Sequence, residues 1–196
     1  GISGIYGYLL TISATLIFMF MVFAMLISAT GAVNFFSMIG DWVSYRFKAG
    51  PAMAAVFTSA LVGSVSGLPG PNVMITGSFT IPAMKKAGYP PEHAGGIETA
   101  ASTCGPIVPP VMGIVAFVMV GFTGIAYKDI VAVAILPAML YVFSAALYVT
   151  FQAGRLNIRR AAKGTIDTRE FWIRSPIFFG PLIILTVLLL LEYSPM

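Results

Sequence analysis

Hydrophobic positions fall in long blocks along this chain, and polar positions gather in short intervals between them. Residues 5–30 are apolar almost throughout, and residues 1–40 carry no charge. That exceeds the roughly 20 residues needed to cross a bilayer, so the pattern predicts a spanning helix that stops at Gly31. Beyond it Phe35, Phe36, Ile39, Trp42, Val43 and Phe47 recur at helical spacing, opposite Asn34, Ser37, Asp41, Ser44 and Lys48. This spacing predicts a short amphipathic helix, lying in the membrane interface or packed on the rest of the protein.

Residues 49–84 are uncharged, but Ser64-Val65-Ser66-Gly67-Leu68-Pro69-Gly70-Pro71-Asn72 interrupts them with two prolines and two glycines. No continuous helix tolerates that run, and two half-length helices meeting at a break are expected. A second interruption follows. Pro90-Pro91-Glu92 suits a helix start, with proline in the first turn and an acid at the positive end of the dipole. The helix should continue from Ala94 to Thr103, where Cys104-Gly105-Pro106-Ile107-Val108-Pro109-Pro110 intervenes before apolar positions resume over 111–122. This predicts a discontinuous spanning helix. Residues 130–153 read as a conventional span ended by Gly154. Asp167 and Glu170, at capping-box spacing, open a short interfacial helix carrying Phe171 and Trp172, and Ser175-Pro176 opens a last span over 177–191. The chain thus divides into a spanning plus amphipathic helix (1–48), a helical hairpin (49–88), a discontinuous helix (89–126), a span with a basic loop (127–164), and an interfacial helix with a final span (165–196). No internal repeat is visible.

Composition agrees with a membrane setting: 58% of residues are hydrophobic, only 9% are charged, and the mean hydropathy is +0.93. Soluble domains carry about 25% charged residues, so a soluble globular domain is excluded. The few charges act as a topological ruler. If residues 49–88 enter and return on one side, Arg46, Lys48, Lys85, Lys86, Arg155, Arg159, Arg160, Lys163, Arg169 and Arg174 share that side, leaving only Lys128 opposite. If they cross, the eleven basic residues split three against eight. The positive-inside rule favours a re-entrant hairpin opening to the cytoplasm. The net charge of +4 is accordingly read as topology rather than nucleic-acid affinity. Beginning at Gly1 and ending just after an apolar segment, the chain is expected to be a fragment of a longer polytopic protein.

Side-chain chemistry is scarce. One histidine (His93, expected at the interface) and one cysteine (Cys104, a small packing residue) exclude multi-His or Cys metal ligation and leave acid-base catalysis without material, so no enzyme and no cofactor are expected. The methionines read as packing. Glu98, about two turns before the Gly105 break, either lines a pathway or pairs with Lys85, Lys86 or waters near the cytoplasmic rim. Gly95 and Gly96 are expected to permit close helix approach. Interrupted helices are costly in a membrane and persist where the freed backbone faces a cavity or a ligand. Paired breaks point to a transporter site: carbonyls at half-helix C-termini, helped by Ser or Thr hydroxyls, hold a cation such as sodium, and opposing N-termini hold a carboxylate. The alternative is that the prolines only kink the helices and the small residues only allow packing.

The stretch from Ser66-Gly67 through Asn72-Val73 and Thr76-Gly77-Ser78-Phe79-Thr80-Ile81-Pro82 to Ala100-Ala101-Ser102-Thr103-Cys104-Gly105-Pro106-Ile107-Val108-Pro109-Pro110-Val111-Met112-Gly113 resembles the large membrane subunit (DctM-type permease) of TRAP transporters, especially the TAXI subgroup. The resemblance implies an all-α polytopic membrane protein, an elevator-type transporter repeat holding a re-entrant hairpin and a discontinuous transmembrane helix, with this chain covering about the first inverted repeat. It also implies import of organic acids (carboxylates) driven by an ion gradient, with Na+ as the coupling ion. The implied partners are an extracytoplasmic substrate-binding protein, a small membrane subunit, separate or fused, and the lipid of a prokaryotic inner membrane. On this resemblance the cation is held by Ser66, Asn72, Gly105, Val108 and Pro110, with Thr76, Ser78 and Thr103 as further hydroxyl or substrate ligands. Two departures stand out: Leu68-Pro69-Gly70-Pro71 replaces the small residues and serines common at the hairpin tip, and Cys104 replaces a glycine or apolar residue. Other readings are an ion-coupled elevator carrier without a binding protein, a channel and a membrane scaffold.

Overall fold

The computed structural model describes residues 33–158 and isolated positions outside them. The spans expected over 5–30 and 177–191, the basic residues Arg159, Arg160 and Lys163, and the capping pair Asp167 and Glu170 lie outside the described residues, isolated positions of the two spans apart. Regular structure among the described residues is entirely helical: α1 (Val33–Arg46), α2 (Pro51–Ser66), α3 (Pro69–Lys86), α4 (Pro91–Thr103), a 3₁₀ turn (Gly105–Ile107), α5 (Ile114–Thr123) and α6 (Tyr127–Arg155).

The helix α2 is the centre. Thirteen of its sixteen residues are buried, so it has no solvent or lipid stripe, as expected of a helix that is apolar or small all round. Its alanines let neighbours approach closely, and Ala52, Ala55 and Val56 share one core with Met84 of α3, Ala94, Ile97 and Ala101 of α4, and Val149 and Ala153 of α6. Phe35 and Phe36 of α1 pack on Val62 and Val65. The apolar face of α1 therefore seats on the hairpin, while Trp42 stays 53% exposed.

The interruption between α2 and α3 is narrower than the sequence pattern suggests. Helix persists through Ser66 and restarts at Pro69, leaving only Gly67 and Leu68 outside. Gly67 takes φ +61° and caps α2, its N–H donating to the Gly63 carbonyl (2.8 Å), a left-handed cap that glycine adopts without strain. Pro69 and Pro71 then occupy the first turn of α3, where amide protons have no intrahelical acceptor and proline is well accommodated. The prolines that break the pattern start a helix. The second interruption is wider, and helix resumes at Ile114 rather than Val111. Helix α6 begins three residues before Ile130 and passes through Gly154. Its C-terminal turn is closed by Asn157 at φ +51° and by the Ile158 N–H donating to the Ala153 carbonyl (3.0 Å). Among the described residues it is the one helix long and apolar enough to cross a membrane.

Several segments converge at one end. The Tyr89 hydroxyl donates to the Ala49 carbonyl (3.0 Å), and a methyl on Gly88 would lie 3.6 Å from Ile158. Arg46, Lys48, Lys85, Lys86 and Arg155 flank these meeting points. Lys128 is about 40 Å from Arg155 along α6.

The glycines expected to mediate close approach do not: a methyl on Gly95 or Gly96 meets nothing within 4 Å. Close approach falls instead at Gly63 and Gly105, where a methyl on Gly63 would sit 2.6 Å from the Gly105 Cα. Thermal unfolding of the purified protein in detergent should show Gly96→Ala stabilising by about 0.5–1 kcal/mol through helix propensity. Gly63→Ala should destabilise by about 3 kcal/mol, because two backbones must separate.

Candidate functional site

The two interruptions are packed against each other, backbone on backbone. Besides the Gly63 and Gly105 contact, a methyl on Gly113 would lie 2.6 Å from the Gly67 carbonyl oxygen, and the Val111 N–H donates to the Ser64 carbonyl (3.3 Å). The C-terminal ends of α2 and α4 and the N-terminal ends of α3 and α5 therefore meet at one junction. Helix C-termini carry partial negative charge and N-termini partial positive charge, so both signs of ligand find favourable poles there. Between α4 and α5 the backbone is held by its own bonds: the Val108 N–H donates to Cys104 (3.1 Å) and Gly105 (3.2 Å), and the Gly113 N–H donates to Pro106 (3.0 Å). The Tyr127 hydroxyl reaches the carbonyls of Pro110 (3.1 Å) and Val111 (2.6 Å), its ring stacked on Phe117 with centroids 5.1 Å apart.

Beneath the junction lies a buried polar cluster. Glu98 is completely buried. Its Oε1 accepts from the hydroxyls of Ser59 (2.9 Å), Ser102 (3.0 Å) and Thr76, and its Oε2 from Thr80 (2.5 Å). Three helices contribute: α2 through Ser59, α3 through Thr76 and Thr80, α4 through Ser102 and Glu98 itself. Gly77 leaves space for the stem, since a methyl there would sit 3.3 Å from the Glu98 Cγ. The expectation that Glu98 pairs with Lys85 or Lys86 at the rim gives way to this enclosure by hydroxyls.

Asn72 links the cluster to the junction. It is fully buried, and its Nδ2 donates to the main-chain carbonyls of Ser59 (2.9 Å) and Ser102 (3.4 Å). Ser59 and Ser102 thus each give a hydroxyl to Glu98 and a carbonyl to Asn72. Because both carbonyls are acceptors, only the amide NH2 can face them, and the Oδ1 is left buried without a hydrogen-bond partner. The Ser66 Oγ is in the same condition. An unpartnered buried oxygen costs about 1–3 kcal/mol, so two such oxygens make the hairpin turn a candidate site.

Of the residues expected to bind, Ser66, Asn72 and Gly105 are brought to the junction, while Val108 and Pro110 lie on the segment between Gly105 and Gly113, the Pro110 carbonyl accepting from Tyr127. Thr76 directs its hydroxyl to Glu98, one turn from Asn72. Ser78 and Thr103 are exposed and donate to the Ile75 (2.7 Å) and Thr99 (2.7 Å) carbonyls of their own helices. Cys104 is buried and donates to the Ala101 carbonyl, and His93 faces Gln152 at 3.3 Å. Sequence reasoning missed Ser59, Thr80 and Ser102. A signal was present: Asn72, Thr76 and Thr80 recur every fourth residue, and Glu98 and Ser102 are four apart, so each set lies along one helix face.

The family described as tripartite ATP-independent periplasmic transporter, DctM component, matches residues 6–196. Among curated relatives, the large permease protein of a 2,3-diketo-L-gulonate TRAP transporter from Escherichia coli is 27% identical over 124 residues, 63% of this chain and 28% of that protein. The large permease protein of a C4-dicarboxylate TRAP transporter from Rhodobacter capsulatus is 33% identical over 79 residues, 40% of this chain and 17% of that protein. An uncharacterized protein of Sinorhizobium fredii is 30% identical over 95 residues, covering 48% of this chain and 22% of that protein. The chain spans less than a third of the length of these relatives. No solved structure matches significantly.

Removing single donors from the cluster separates its members from exposed hydroxyls. Ser102→Ala and Thr80→Val should each lower stability by about 1–3 kcal/mol, the cost of leaving a buried polar group without its partner. Ser78→Ala and Thr103→Ala should change it by less than about 0.5 kcal/mol, as measured by thermal or denaturant unfolding in detergent.

Proposed function

Because the chain belongs to the DctM component family of tripartite ATP-independent periplasmic transporters, we propose that it is part of the permease of a secondary transporter. In this reading the permease imports an organic acid with the help of an extracytoplasmic binding protein and a small membrane subunit. It sits in a prokaryotic inner membrane and is driven by a sodium gradient. The names of two relatives carry organic acids, 2,3-diketo-L-gulonate and C4-dicarboxylates, which supports a carboxylate as substrate.

The observation that carries the coupling site is the pair of buried oxygens without partners, Asn72 Oδ1 and Ser66 Oγ, at a turn packed on a second backbone break. Sodium is a hard cation that takes neutral oxygens. Asn72, Ser66 and the carbonyls of Gly105, Val108 and Pro110 form the proposed donor set, with the α2 and α4 C-termini adding favourable dipoles. The hydroxyls of Thr76, Ser78 and Thr103 already donate within the protein and rank behind these donors. The α3 and α5 N-termini suit the substrate carboxylate.

Residues 49–88 act as a re-entrant hairpin opening at the basic end, and with the broken helix α4–α5 they make one repeat of an elevator-type carrier. The collection of Arg46, Lys48, Lys85, Lys86 and Arg155 around one end supports this topology. The Gly77-Ser78-Phe79-Thr80-Ile81-Pro82 and Pro109-Pro110-Val111-Met112-Gly113 stretches favour the TAXI subgroup.

Proteoliposomes holding the intact permease, its small subunit and its binding protein provide the test, with a panel of labelled C4 and sugar-derived carboxylates. Uptake of at least one should require both the binding protein and an inward sodium gradient, and Asn72→Ala should cut it at least tenfold. Uptake that survives collapse of both sodium and proton gradients would overturn the reading.

A further inference from the structure

The cluster around Glu98 is outside the donor set just described, yet it holds the one carboxylate enclosed in the helical core of the described residues. Its hydrogen-bond partners there are all hydroxyls, and no basic group is among them. A carboxylate is acceptor-only, and each of these four partners can donate, so the cage solvates a negative charge without neutralising it. Burial without a compensating cation is expensive in a low-dielectric interior.

The nearest place for such a cation is the junction. Thr76 joins the two, its Oγ1 contacting both the carboxylate and the Asn72 carbonyl (2.8 Å). Asn72 is one turn from Thr76 on α3, and Gly105 lies seven residues beyond Glu98, just past the end of α4, so the separation is about 6–10 Å along the helix axes.

We infer that Glu98 is a positioning residue for the coupling cation: its buried carboxylate supplies the fixed counter-charge that makes the neutral oxygens of the junction favour sodium. This rests on the sodium reading above. Charge and shape at this position can be varied separately. Gln fits the cage, because Oε1 can keep accepting from Ser59, Thr76 and Ser102. The Gln Nε2 can donate to Thr80 Oγ1, whose own proton has the Thr76 carbonyl at 2.9 Å. Asp keeps the charge but shortens the reach to the hydroxyls. At an effective permittivity of about 20, a unit charge about 6–10 Å away changes cation binding by about tenfold to a hundredfold, the smaller figure at the longer distance.

The experiment titrates NaCl against choline chloride at constant ionic strength and follows thermal unfolding of the intact permease. The readout is the sodium concentration that gives half of the maximal protection. Glu98→Gln should raise it at least about tenfold, while Glu98→Asp should leave it within about twofold of wild type despite a lower Tm in choline. The opposite order, with Gln like wild type and Asp weakened, would mean that the cage acts through shape alone and would overturn the inference. Should Glu98→Gln yield no folded protein, Glu98→Asp decides alone, since a tenfold rise there contradicts a role for charge. Wild type that gains no protection from sodium overturns the sodium reading itself, an outcome distinct from a responsive wild type with an indifferent Glu98→Gln.

Discussion

Enclosing a carboxylate among helices of a greasy chain constrains everything around it. Glu98 needs hydrogen-bond donors on every side, and the fold meets that need by turning Ser59, Thr76, Thr80 and Ser102 inward from three helices. The same serines hand their main-chain carbonyls to Asn72, which fixes the amide and leaves its oxygen free at the hairpin turn. One buried carboxyl group therefore organises a chain of polar contacts that ends at the place where the two interruptions meet. In a low-dielectric setting such a network is all or nothing, because each group left without a partner is costly.

That network requires close helices, and the closeness comes from residues with little side chain. Helix α2 is built largely of Ala, Ser, Gly and Val and is enclosed by α1, α3, α4 and α6. At its end, glycines allow backbone to touch backbone, Gly63 on Gly105 and Gly67 on Gly113. Two broken helices can then share one site, with four helix ends and their opposed dipoles converging. The aromatic hydroxyls of Tyr127 and Tyr141 brace α4 and the break from α6, reaching the carbonyls of Pro110, Val111 and Ala100.

Much of this was legible in the residue pattern. Blocks without charge, punctuated by Pro and Gly, located both interruptions, and Pro91 with Glu92 marked the start of α4. The motif residues 66–89 and 100–113 pointed to the DctM family, which matches residues 6–196. The width of the first interruption was misjudged because Pro69 and Pro71 count as breakers in a linear pattern but serve as a helix start once Gly67 has turned the chain. Gly95 and Gly96 looked like contact glycines by spacing, yet their face meets no neighbour.

Local chemistry along the chain is enough to dictate helices, their breaks and the sign of charge at each end, since propensity, capping and hydrophobic length act over a few residues. The partner of a buried charge is a different kind of fact. Glu98 could have met Lys85, Lys86 or water, and only the stacking of α2, α3 and α4 brings four hydroxyls separated by up to 43 positions, Ser59 to Ser102, onto its two oxygens. The same stacking leaves Asn72 Oδ1 without a partner. Hydrogen-bond satisfaction depends on distances across helices, and those are set by how small residues pack in three dimensions.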